Sequence, residues 1–244
     1  MISIVLPCLN EVRHGYLPNI LDNLALQPGD KQIIIVLSPG TDGTYELINQ
    51  HPATTDFKVI ESQAANRAQR LTIGIQASVG EVVLLHHPAT LLPPNALKQI
   101  SELMAQETFT WGGFCHSFDF DHWLLRFTSW YSTTQRPRLS QILYLDHCIF
   151  ARRQILMEIG GVPDMDIFED TALSNALKKY GPPHLVPGTI VTSARRFRER
   201  GIYKHAVLNQ LLKLLYHARI DPKKMNWLYE GKSQINVSYD KHKF

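Results

Sequence analysis

The chain opens with MISIVLPCLNE (residues 1–11), an apolar run followed by a short polar segment. Comparable apolar runs lie at residues 32–37, 57–60 and 81–85. Near-continuous apolar runs of this kind are typical of parallel strands that are buried on both faces of a sheet. Together they predict the central strands of an α/β fold.

Segments of helical composition separate these runs, at residues 12–27, 44–49 and 65–77. This alternation predicts right-handed crossovers and a mostly parallel central sheet flanked by helices, in a Rossmann-like layout. In open sheets of this kind, ligands bind beyond the carboxyl ends of the strands. The segments that follow the predicted strands are residues 7–11, 38–43, 61–67 and 86–90. We expect them to converge on one ligand site.

The second half of the chain is less regular. Its patterns predict strands at residues 111–118, 144–150 and 186–192. Helical patterns cover residues 95–106, 153–159, 173–180 and 203–218. No internal repeat is present, and the composition does not change before about residue 230. We therefore expect a single domain.

Composition excludes several classes of protein. The 244 residues are 44% hydrophobic and 19% charged, as in an ordinary globular chain, and a net charge of +3 does not favour a nucleic acid partner. Cys8, Cys115 and Cys148 are too widely spaced to suggest a disulfide framework or a zinc site, which favours a reducing compartment such as the cytoplasm. The apolar stretches are too short or too interrupted to cross a bilayer.

Two adjacent acids, Glu169 and Asp170, open a predicted helix whose apolar face begins at Leu173. The three-residue spacing to Leu173 puts Asp170 on the side of the helix that packs. A helix N-terminus stabilises a carboxylate by about 0.3–1 kcal/mol, which keeps it ionised and able to accept a proton from a hydroxyl. The alternative is a helix start with favourable acids and no catalytic role.

A second cluster is basic and contains Arg195, Arg196, Arg198 and Arg200. Guanidinium groups suit bidentate recognition of phosphate, but a solvated basic face or a contact with anionic lipid would have the same pattern. Arg67 begins a predicted helix at the ligand edge, where it is either a phosphate ligand or a surface arginine. Both interpretations stay open at this point.

Familiar catalytic signatures are absent, because the sequence has no Walker loop and no GxGxxG, HExxH or GxSxG motif. His86 and His87 end a predicted strand at the ligand edge, where a histidine can bind a metal ion. Neighbouring strand residues point to opposite faces of a sheet. We therefore expect at most one of these two histidines to face the site.

In their order along the chain, several segments resemble family 2 glycosyltransferases of the GT-A fold, and especially a small bacterial subgroup found beside radical-SAM and selenium-related genes. The segments are ISIVLPCLNE (2–11), TDGT (41–44), NRAQRLTIG (66–74), GEVVLLHHPATLLPP (80–94), GGVPDMDIFEDTALSNALKKYG (160–181), VTSARRFRERG (191–201) and LLKLLYHARIDPKKMNWLY (211–229). The likeness covers about 230 of the 244 residues. It implies one GT-A-like domain over residues 1–230, with a nucleotide-sugar-binding half (1–90), an acceptor-side half (91–230) and a following tail (231–244).

The resemblance implies transfer of a sugar, with inversion, from a nucleotide-sugar donor to an acceptor hydroxyl. Asp170, with Glu169 beside it, would take the proton from that hydroxyl. The donor-binding residues would be Pro7, Asn10, Glu11, Ser38, Asp42, Arg67, Arg195, Arg196 and Arg198. A lipid-linked acceptor is one candidate, because many related transferases use such acceptors.

Three positions depart from the subgroup's pattern. Ala89 replaces the aspartate expected to hold a divalent ion, an aspartate is missing near Ser38, and Thr72 replaces an asparagine. The resemblance implies Mg²⁺ or Mn²⁺, but an alanine cannot ligate a cation, which leaves His87 as the candidate metal ligand. Two alternatives remain: an enzyme that stabilises the leaving group with His87 or with cationic side chains, and a degenerate relative that binds a nucleotide, sugar or partner without turnover.

The leucine-rich helix predicted at residues 203–218 has two interpretations. Its broad apolar face would cover the sheet, which needs packing on both faces. Alternatively, this face and the arginine cluster before it would lie on an anionic membrane surface, as a peripheral contact at the inner face of the membrane.

Overall fold

The computed structural model describes residues 1–12, 15–230 and 237. Its strands are β1 Ile2–Cys8, β2 Lys31–Leu37, β3 Phe57–Glu61, β4 Val82–Leu85, β5 Thr90–Leu91, β6 Trp111–Phe118, β7 Phe150–Arg152 and β8 His184–Thr192. Its α-helices are α1 Leu17–Ala25, α2 Thr44–Gln50, α3 Arg67–Ala77, α4 Ala96–Met104, α5 Trp123–Trp130, α6 Arg136–Leu139, α7 Arg153–Glu158, α8 Glu169–Leu177, α9 Arg195–Arg200, α10 Ile202–His217 and α11 Pro222–Glu230. A π-helical turn, Tyr131–Gln135, joins α5 to α6.

The described strands form one sheet in the order β3-β2-β1-β4-β7-β6-β8-β5. β1 pairs in parallel with both β2 and β4, and β2 pairs in parallel with β3. β7 runs antiparallel to β4 and β6, whereas β8 is parallel to β6. β2 and β3 follow β1 on one side of the sheet, and β4 then pairs with β1 on its other side. The carboxyl ends of β1 and β4 therefore form the switch point at which open sheets bind ligands.

Helices cover both faces of this sheet. On one face, Ile4 of β1 belongs to a buried cluster that includes Leu21 of α1. On the other face, Val5 belongs to a second buried cluster with Leu71 of α3 and Leu173 of α8. Successive residues of β1 thus face different helical layers, as the two-residue period of a strand requires. Both layers exclude water, which explains why β1 and β4 are buried along their whole length.

The mostly parallel α/β sheet flanked by helices is confirmed, and the first four apolar runs are β1 to β4. The helix predicted at residues 12–27 is shorter, because α1 begins at Leu17 with Pro18 in its first turn, where the missing N–H is not needed. Residues 13 and 14 of that prediction lie outside the described residues. α3 begins as predicted at the ligand edge, and the Asn66 side chain caps it by accepting from the Gln69 N–H at 2.9 Å.

The strand predicted at residues 144–150 is wrong for most of its length. A 3-10 turn occupies Leu145–His147, and the strand β7 is Phe150–Arg152. The Leu145 N–H donates to Asp170 instead of to a neighbouring strand, and Cys148 has a positive φ of 49°. An apolar run that is buried in a turn has the same pattern as one in a strand, so periodicity could not separate them.

The helix predicted at residues 203–218 is α10, but the interpretation that it covers the sheet is wrong. It packs against α9 and α11, and Leu212 joins a small cluster with Ile167 and Met225 that is separate from the two sheet clusters. Val207 and Leu214 of α10 remain exposed. Among the helices of the described chain, none is long and apolar enough to span a bilayer. The predicted tail at residues 231–244 lies outside the described residues except for residue 237.

Candidate active site

A cavity of about 250 Å³ opens beyond the carboxyl end of β4. Its wall combines the segment after β4, the first turns of α3 and α8, the helix α9, and residues of α5 and α10. The predicted site residues in this wall are Arg67, His87, Asp170, Arg195 and Arg196. Tertiary structure thus brings residues from both halves of the chain to one place.

Asp170 is the second residue of α8 and faces this cavity. Its Oδ2 accepts from the Leu145 N–H at 3.0 Å, and its Oδ1 accepts from the Thr171 N–H at 2.7 Å. Burial, and then the neighbouring Glu169 carboxylate, raise the pKa of Asp170 to about 6. The helix N-terminus favours the ionised form, but burial has the larger effect. Asp170 is therefore a fixed carboxylate that is more basic than an exposed aspartate.

Glu169 has a different environment although it adjoins Asp170. Its side chain is 1% exposed, and its Oε1 accepts from the Arg67 Nε–H. This ion pair joins the first turn of α3 to the first turn of α8. Burial alone would lower the pKa of Arg67, but the Glu169 and Asp170 carboxylates raise it above its ordinary value. Glu169 thus lies behind the cavity wall and holds Arg67.

The arginines of α9 point in different directions. Arg195 and Arg196 line the cavity, and each has a carboxylate near it. The Arg195 Nη2 atom is 3.9 Å from Glu11 Oε2, and the Arg196 Nη2 atom is 3.8 Å from Glu230 Oε1. Arg198 is exposed and lies outside the wall. The basic cluster therefore supplies two cations to the cavity and presents Arg198 to solvent.

His87 lines the cavity, whereas His86 is fully buried, so one of the two histidines faces the site as expected. The Nδ1 atom of His87 accepts from the Ala89 N–H at 3.2 Å, which puts the ring proton on Nε2 when the ring is neutral. Burial, and then the nearby Arg67, lower the pKa of His87 well below its ordinary value. His87 is therefore neutral at physiological pH, and its Nε2–H is a hydrogen-bond donor.

The residues around Ala89 do not fit a divalent metal ion. Ala89 offers no side-chain ligand, and the Nδ1 lone pair of His87 is already used by the Ala89 N–H. Within residues 1–12, 15–230 and 237, no group of three or more His, Cys, Asp or Glu side chains is arranged to hold a metal ion. Hard cations such as Mg²⁺ need several oxygen ligands, and this segment does not supply them.

The other residues predicted to bind the donor lie outside this cavity. Ser38 lines a second cavity of about 280 Å³ between the ends of β2 and β3. Its hydroxyl donates to the Ala64 carbonyl at 2.7 Å and accepts from Arg70 Nη1 at 3.1 Å. Arg70 is buried, and burial lowers its pKa to about 10. Pro7 and Glu11 are buried at the end of β1.

Asn10 and Asp42 shape the loops beside this second cavity. The Asn10 Oδ1 atom accepts from the Thr41 N–H at 2.9 Å. The Asp42 Oδ2 atom accepts from the Val12 N–H at 2.9 Å, and its Oδ1 accepts from the Thr44 hydroxyl at 2.6 Å. These bonds tie the loop after β1 to the loop after β2. Both side chains hold the backbone of the ligand edge in place.

Sequence reasoning missed Arg136, Tyr144, Asp146 and Lys213, all of which line the cavity. Tyr144 and Asp146 flank Leu145, whose N–H holds Asp170. Burial alone would raise the pKa of Asp146, but His116, His147 and Arg136 lower it to about 2. These residues belong to no local motif. The polar residues of YLDH (144–147) inside an apolar run were a signal, and a strand was the wrong interpretation of it.

The sequence pattern that defines Glycosyl transferase family 2 matches residues 3–160, which is more than half of the chain. The chain belongs to this family. A Sulfolobus acidocaldarius protein named "Probable glycosyltransferase" is 25% identical to this family 2 chain over 186 residues. That match covers 71% of the chain and 37% of the relative, so the chain spans little more than a third of the length of this relative.

Several solved structures resemble this family 2 chain. S. aureus TarS in complex with UDP-GlcNAc has a TM-score of 0.62 and 14% identity, covering 79% of this chain and 58% of that one. Mannosyltransferase PcManGT from Pyrobaculum calidifontis, in complex with GDP-Man and Mn²⁺, has a TM-score of 0.63 and 18% identity. The match covers 88% of this chain and 62% of that one. Glucosyl-3-phosphoglycerate synthase from Mycobacterium tuberculosis, in complex with Mn²⁺, UDP and phosphoglyceric acid, has a TM-score of 0.59 and 18% identity, covering 90% and 79%. These likenesses show the GT-A fold for this family 2 chain, and the narrower bacterial subgroup stays a prediction.

Proposed function

We propose that this chain transfers a sugar from a nucleoside diphosphate sugar to an acceptor hydroxyl, with inversion at the sugar carbon. The observation that carries this proposal is the position of Asp170, a fixed and basic carboxylate in the same cavity as Arg67, Arg195 and Arg196. Relatives with this fold have been solved with UDP-GlcNAc and with GDP-Man, which supports a donor of this class.

In the proposed reaction Asp170 is the general base. The acceptor hydroxyl gives its proton to an Asp170 carboxylate oxygen while its own oxygen bonds to the anomeric carbon. The bond from that carbon to the phosphate oxygen breaks, and the nucleoside diphosphate leaves with the electron pair. Attack from the face opposite the leaving group inverts the carbon in a single displacement. Glu169 acts as a positioning residue, because it holds Arg67 from behind the cavity wall.

The leaving diphosphate gains negative charge, and in this proposal cationic side chains stabilise it. Arg67, Arg195 and Arg196 bring guanidinium groups to the cavity, and guanidinium pairs well with phosphate oxygens. The His87 Nε2–H adds a neutral donor. Two of the structural relatives were solved with Mn²⁺, so a divalent ion remains part of the chemistry to be tested. In this proposal Arg67, Arg195 and Arg196 neutralise the charge that a metal ion near Ala89 would otherwise neutralise.

We assign the two halves of the chain different tasks. Residues 1–90 bind the nucleotide, with the base in the second cavity near Ser38 and Asp42 and the diphosphate directed toward Arg67. Residues 91–230 bind the acceptor and also supply Arg195 and Arg196 to the diphosphate. The two cavities support this division, because one lies between the ends of β2 and β3 and the other is lined largely by the second half of the chain.

A lipid-linked acceptor at the inner face of the cytoplasmic membrane is consistent with the surface near the cavity. Trp123 and Phe127 of α5 and Val207 and Leu214 of α10 are exposed, and both helices also line the cavity. Co-sedimentation with anionic vesicles at low salt tests this contact. We expect Leu214→Glu to reduce binding, whereas Leu26→Glu, at an exposed leucine beside α1, should leave it unchanged. Absence of binding to the wild-type chain would exclude it.

A thermal-shift screen of UDP-, GDP-, dTDP- and CMP-sugars, with and without Mn²⁺, tests the donor class. A ligand that prefers the folded state raises the apparent stability, by about 2.7 kcal/mol at a hundredfold excess over Kd. We expect a shift with one donor class and release of the nucleoside diphosphate on addition of an acceptor. Binding without release under any acceptor would instead favour the degenerate relative that binds without turnover. No shift with any donor would contradict the proposed function.

A further inference from the structure

Five cationic side chains line the cavity beyond the carboxyl end of β4: Arg67, Arg136, Arg195, Arg196 and Lys213. Three of them face a carboxylate, because Arg67 pairs with Glu169, Arg195 lies 3.9 Å from Glu11, and Arg196 lies 3.8 Å from Glu230. Within the described part of the chain, Arg136 and Lys213 have no carboxylate within 4 Å. The wall therefore contains two positive charges without a close partner.

Arg136 is the more unusual of the two. It is only 7% exposed, and its buried Nη1 atom has no hydrogen-bond partner among the described residues. Its guanidinium carbon lies 4.0 Å from the centre of the Tyr144 ring, so its charge lies over an aromatic face. A buried charge normally has a partner, because desolvation of an unpaired ion is costly. An unpartnered guanidinium in a cavity wall points to a ligand that supplies the missing anion.

Local backbone geometry directs Arg136 to this position. The helical segment from α5 to α6 widens into the π-helical turn Tyr131–Gln135 immediately before Arg136. Pro137 follows, and its missing N–H cannot complete the regular helical bonding pattern. π-helical turns inside helices occur frequently at functional sites. Ser132 in this turn also lines the cavity, so the irregular turn presents side chains to the same space.

Lys213 approaches the same aromatic ring from α10. Its Nζ atom is 5.7 Å from the centre of the Tyr144 ring. Burial, and then the nearby Arg136, lower the pKa of Lys213 to about 8, so it is mostly charged at neutral pH. Asp146 attracts both cations from beyond 4 Å, and its Oδ2 is already 3.6 Å from His116 Nε2. One carboxylate against two cations leaves an excess of positive charge.

This basic pair lies on the acceptor side of the cavity. Tyr144 is adjacent to Leu145, whose N–H donates to Asp170 at 3.0 Å. The cations that act on His87 are Arg67, Arg195 and Arg196, whereas the cation that acts on Lys213 is Arg136, and Asp146 acts on both. The cations thus form two groups, and the proposed base Asp170 adjoins the turn that carries Tyr144.

We propose that Arg136 and Lys213 form a subsite for a phosphate group of the acceptor, with Tyr144 holding the guanidinium in place. Phosphate carries close to two negative charges at neutral pH, which matches two unpaired cations better than a single carboxylate does. The subsite would orient an acceptor hydroxyl toward Asp170. This proposal rests on the proposed glycosyl transfer for its role, but the anion site itself can be measured without turnover.

Two kinds of acceptor would carry such a phosphate group: a water-soluble phosphorylated molecule and a lipid with a phosphate headgroup. Inorganic phosphate is the probe for the first. Phosphatidylcholine vesicles that contain phosphatidic acid are the probe for the second, with pure phosphatidylcholine vesicles as the blank. Phosphate binding is measured by calorimetry on the full chain, alone and in the presence of UDP or GDP, so that the donor arginines are occupied in one set of titrations.

The test compares Arg136→Gln and Lys213→Gln with two matched controls, Arg138→Gln and Lys204→Gln. Arg138 is exposed on the same short helix as Arg136, and Lys204 is exposed on the same helix as Lys213. We expect each subsite variant to weaken phosphate binding by about tenfold or more, because a charge-assisted hydrogen bond is lost. The controls should stay within about twofold, and all four variants should keep the wild-type Kd for UDP or GDP.

Phosphate binding that Arg136→Gln leaves unchanged would overturn the subsite. Equal loss of phosphate and nucleotide binding would also overturn it, because Arg136 would then belong to the donor site. If vesicle binding falls together with phosphate binding in the subsite variants, the phosphate is a lipid headgroup, and if only phosphate binding falls, it is water-soluble. A chain that binds phosphate through Arg136 but binds no nucleotide would contradict the proposed function while leaving the subsite in place.

Discussion

The Nε–H of Arg67 donates to the buried Oε1 of Glu169, and this ion pair fastens the first turn of α3 to the first turn of α8. The two helices lie on the same side of the sheet and belong to opposite halves of the chain. Because Asp170 follows Glu169 directly, the pair also sets the position of the proposed base relative to the proposed diphosphate ligand. A charge pair at the cavity wall thus joins the two halves of the chain.

Glu169→Ala should lower the free energy of unfolding by about 3–5 kcal/mol, because it leaves the largely buried Arg67 guanidinium without its hydrogen-bonded carboxylate. Urea denaturation measures this change. The matched control is Glu102→Ala, which breaks the exposed Lys98–Glu102 pair and should change stability by less than about 0.5 kcal/mol. Similar losses in the two variants would mean that the Arg67–Glu169 pair has no special structural role.

Asp170→Asn should reduce transfer by about 10²–10⁴-fold and leave donor affinity nearly unchanged. The substitution keeps the size of the side chain and one acceptor atom for the Leu145 N–H, but it removes the proton acceptor. Rates are measured with the donor found in the thermal-shift screen, and Kd by calorimetry. Asp121→Asn, on the exposed surface, is the control. Full activity of Asp170→Asn would exclude the proposed base.

The rate of transfer should fall as the pH drops below about 6, because the raised pKa of Asp170 protonates the base there. An exposed aspartate would stay ionised to near pH 4. The folded chain holds this proton more tightly than the unfolded chain, so the carboxyl stabilises the fold below pH 3.8, and that contribution is lost as the pH rises through about 6. Asp170→Asn should therefore remove a pH-dependent component of stability between these values. An activity profile that is flat down to pH 4.5 would argue against Asp170 as the base.

Arg196→Ala should weaken nucleoside diphosphate binding by about 1.5–3 kcal/mol, because a charge-assisted hydrogen bond is lost. Arg198→Ala provides a comparison within the same short helix, since Arg198 is exposed and outside the cavity wall. The Kd of the Arg198→Ala variant for a nucleoside diphosphate should remain within about twofold of the wild-type value. Calorimetry with UDP and GDP compares the Kd values of the two variants. An equal loss of affinity in Arg196→Ala and Arg198→Ala would mean that the arginine cluster acts only through its overall charge.

Mn²⁺ should increase the affinity of this chain for a nucleoside diphosphate less than it increases the affinity of an Ala89→Asp variant. The segment lacks oxygen ligands, and the Nδ1 lone pair of His87 is used by a backbone N–H. Titrations of UDP or GDP with and without Mn²⁺ measure this difference. The Ala89→Asp side chain would add an oxygen ligand for the ion. Tight Mn²⁺ binding that survives His87→Ala would show that a different set of ligands holds the ion.

The sequence by itself determined the α/β class, the parallel strands β1 to β4 and the ligand edge. Those features depend on local apolar runs and on the short loops that follow them. Each run and its loop are contiguous in the sequence, so the pattern can be recognised without knowing any distant contact. The same local patterns could not distinguish the turn at Leu145–His147 from a strand, because burial makes both apolar. They also could not tell that α10 would pack against α9 and α11 and line a cavity, while other helices cover the sheet.

Tertiary structure alone decided which charges meet. Glu169 and Asp170 have the same local sequence signal, yet one is buried against Arg67 and the other faces the cavity, because their partners come from distant segments. Arg136 and Lys213 carry no motif at all, and their proposed role rests on the absence of a close carboxylate among the described residues. Charge compensation is a property of three-dimensional neighbours, and sequence order does not record it.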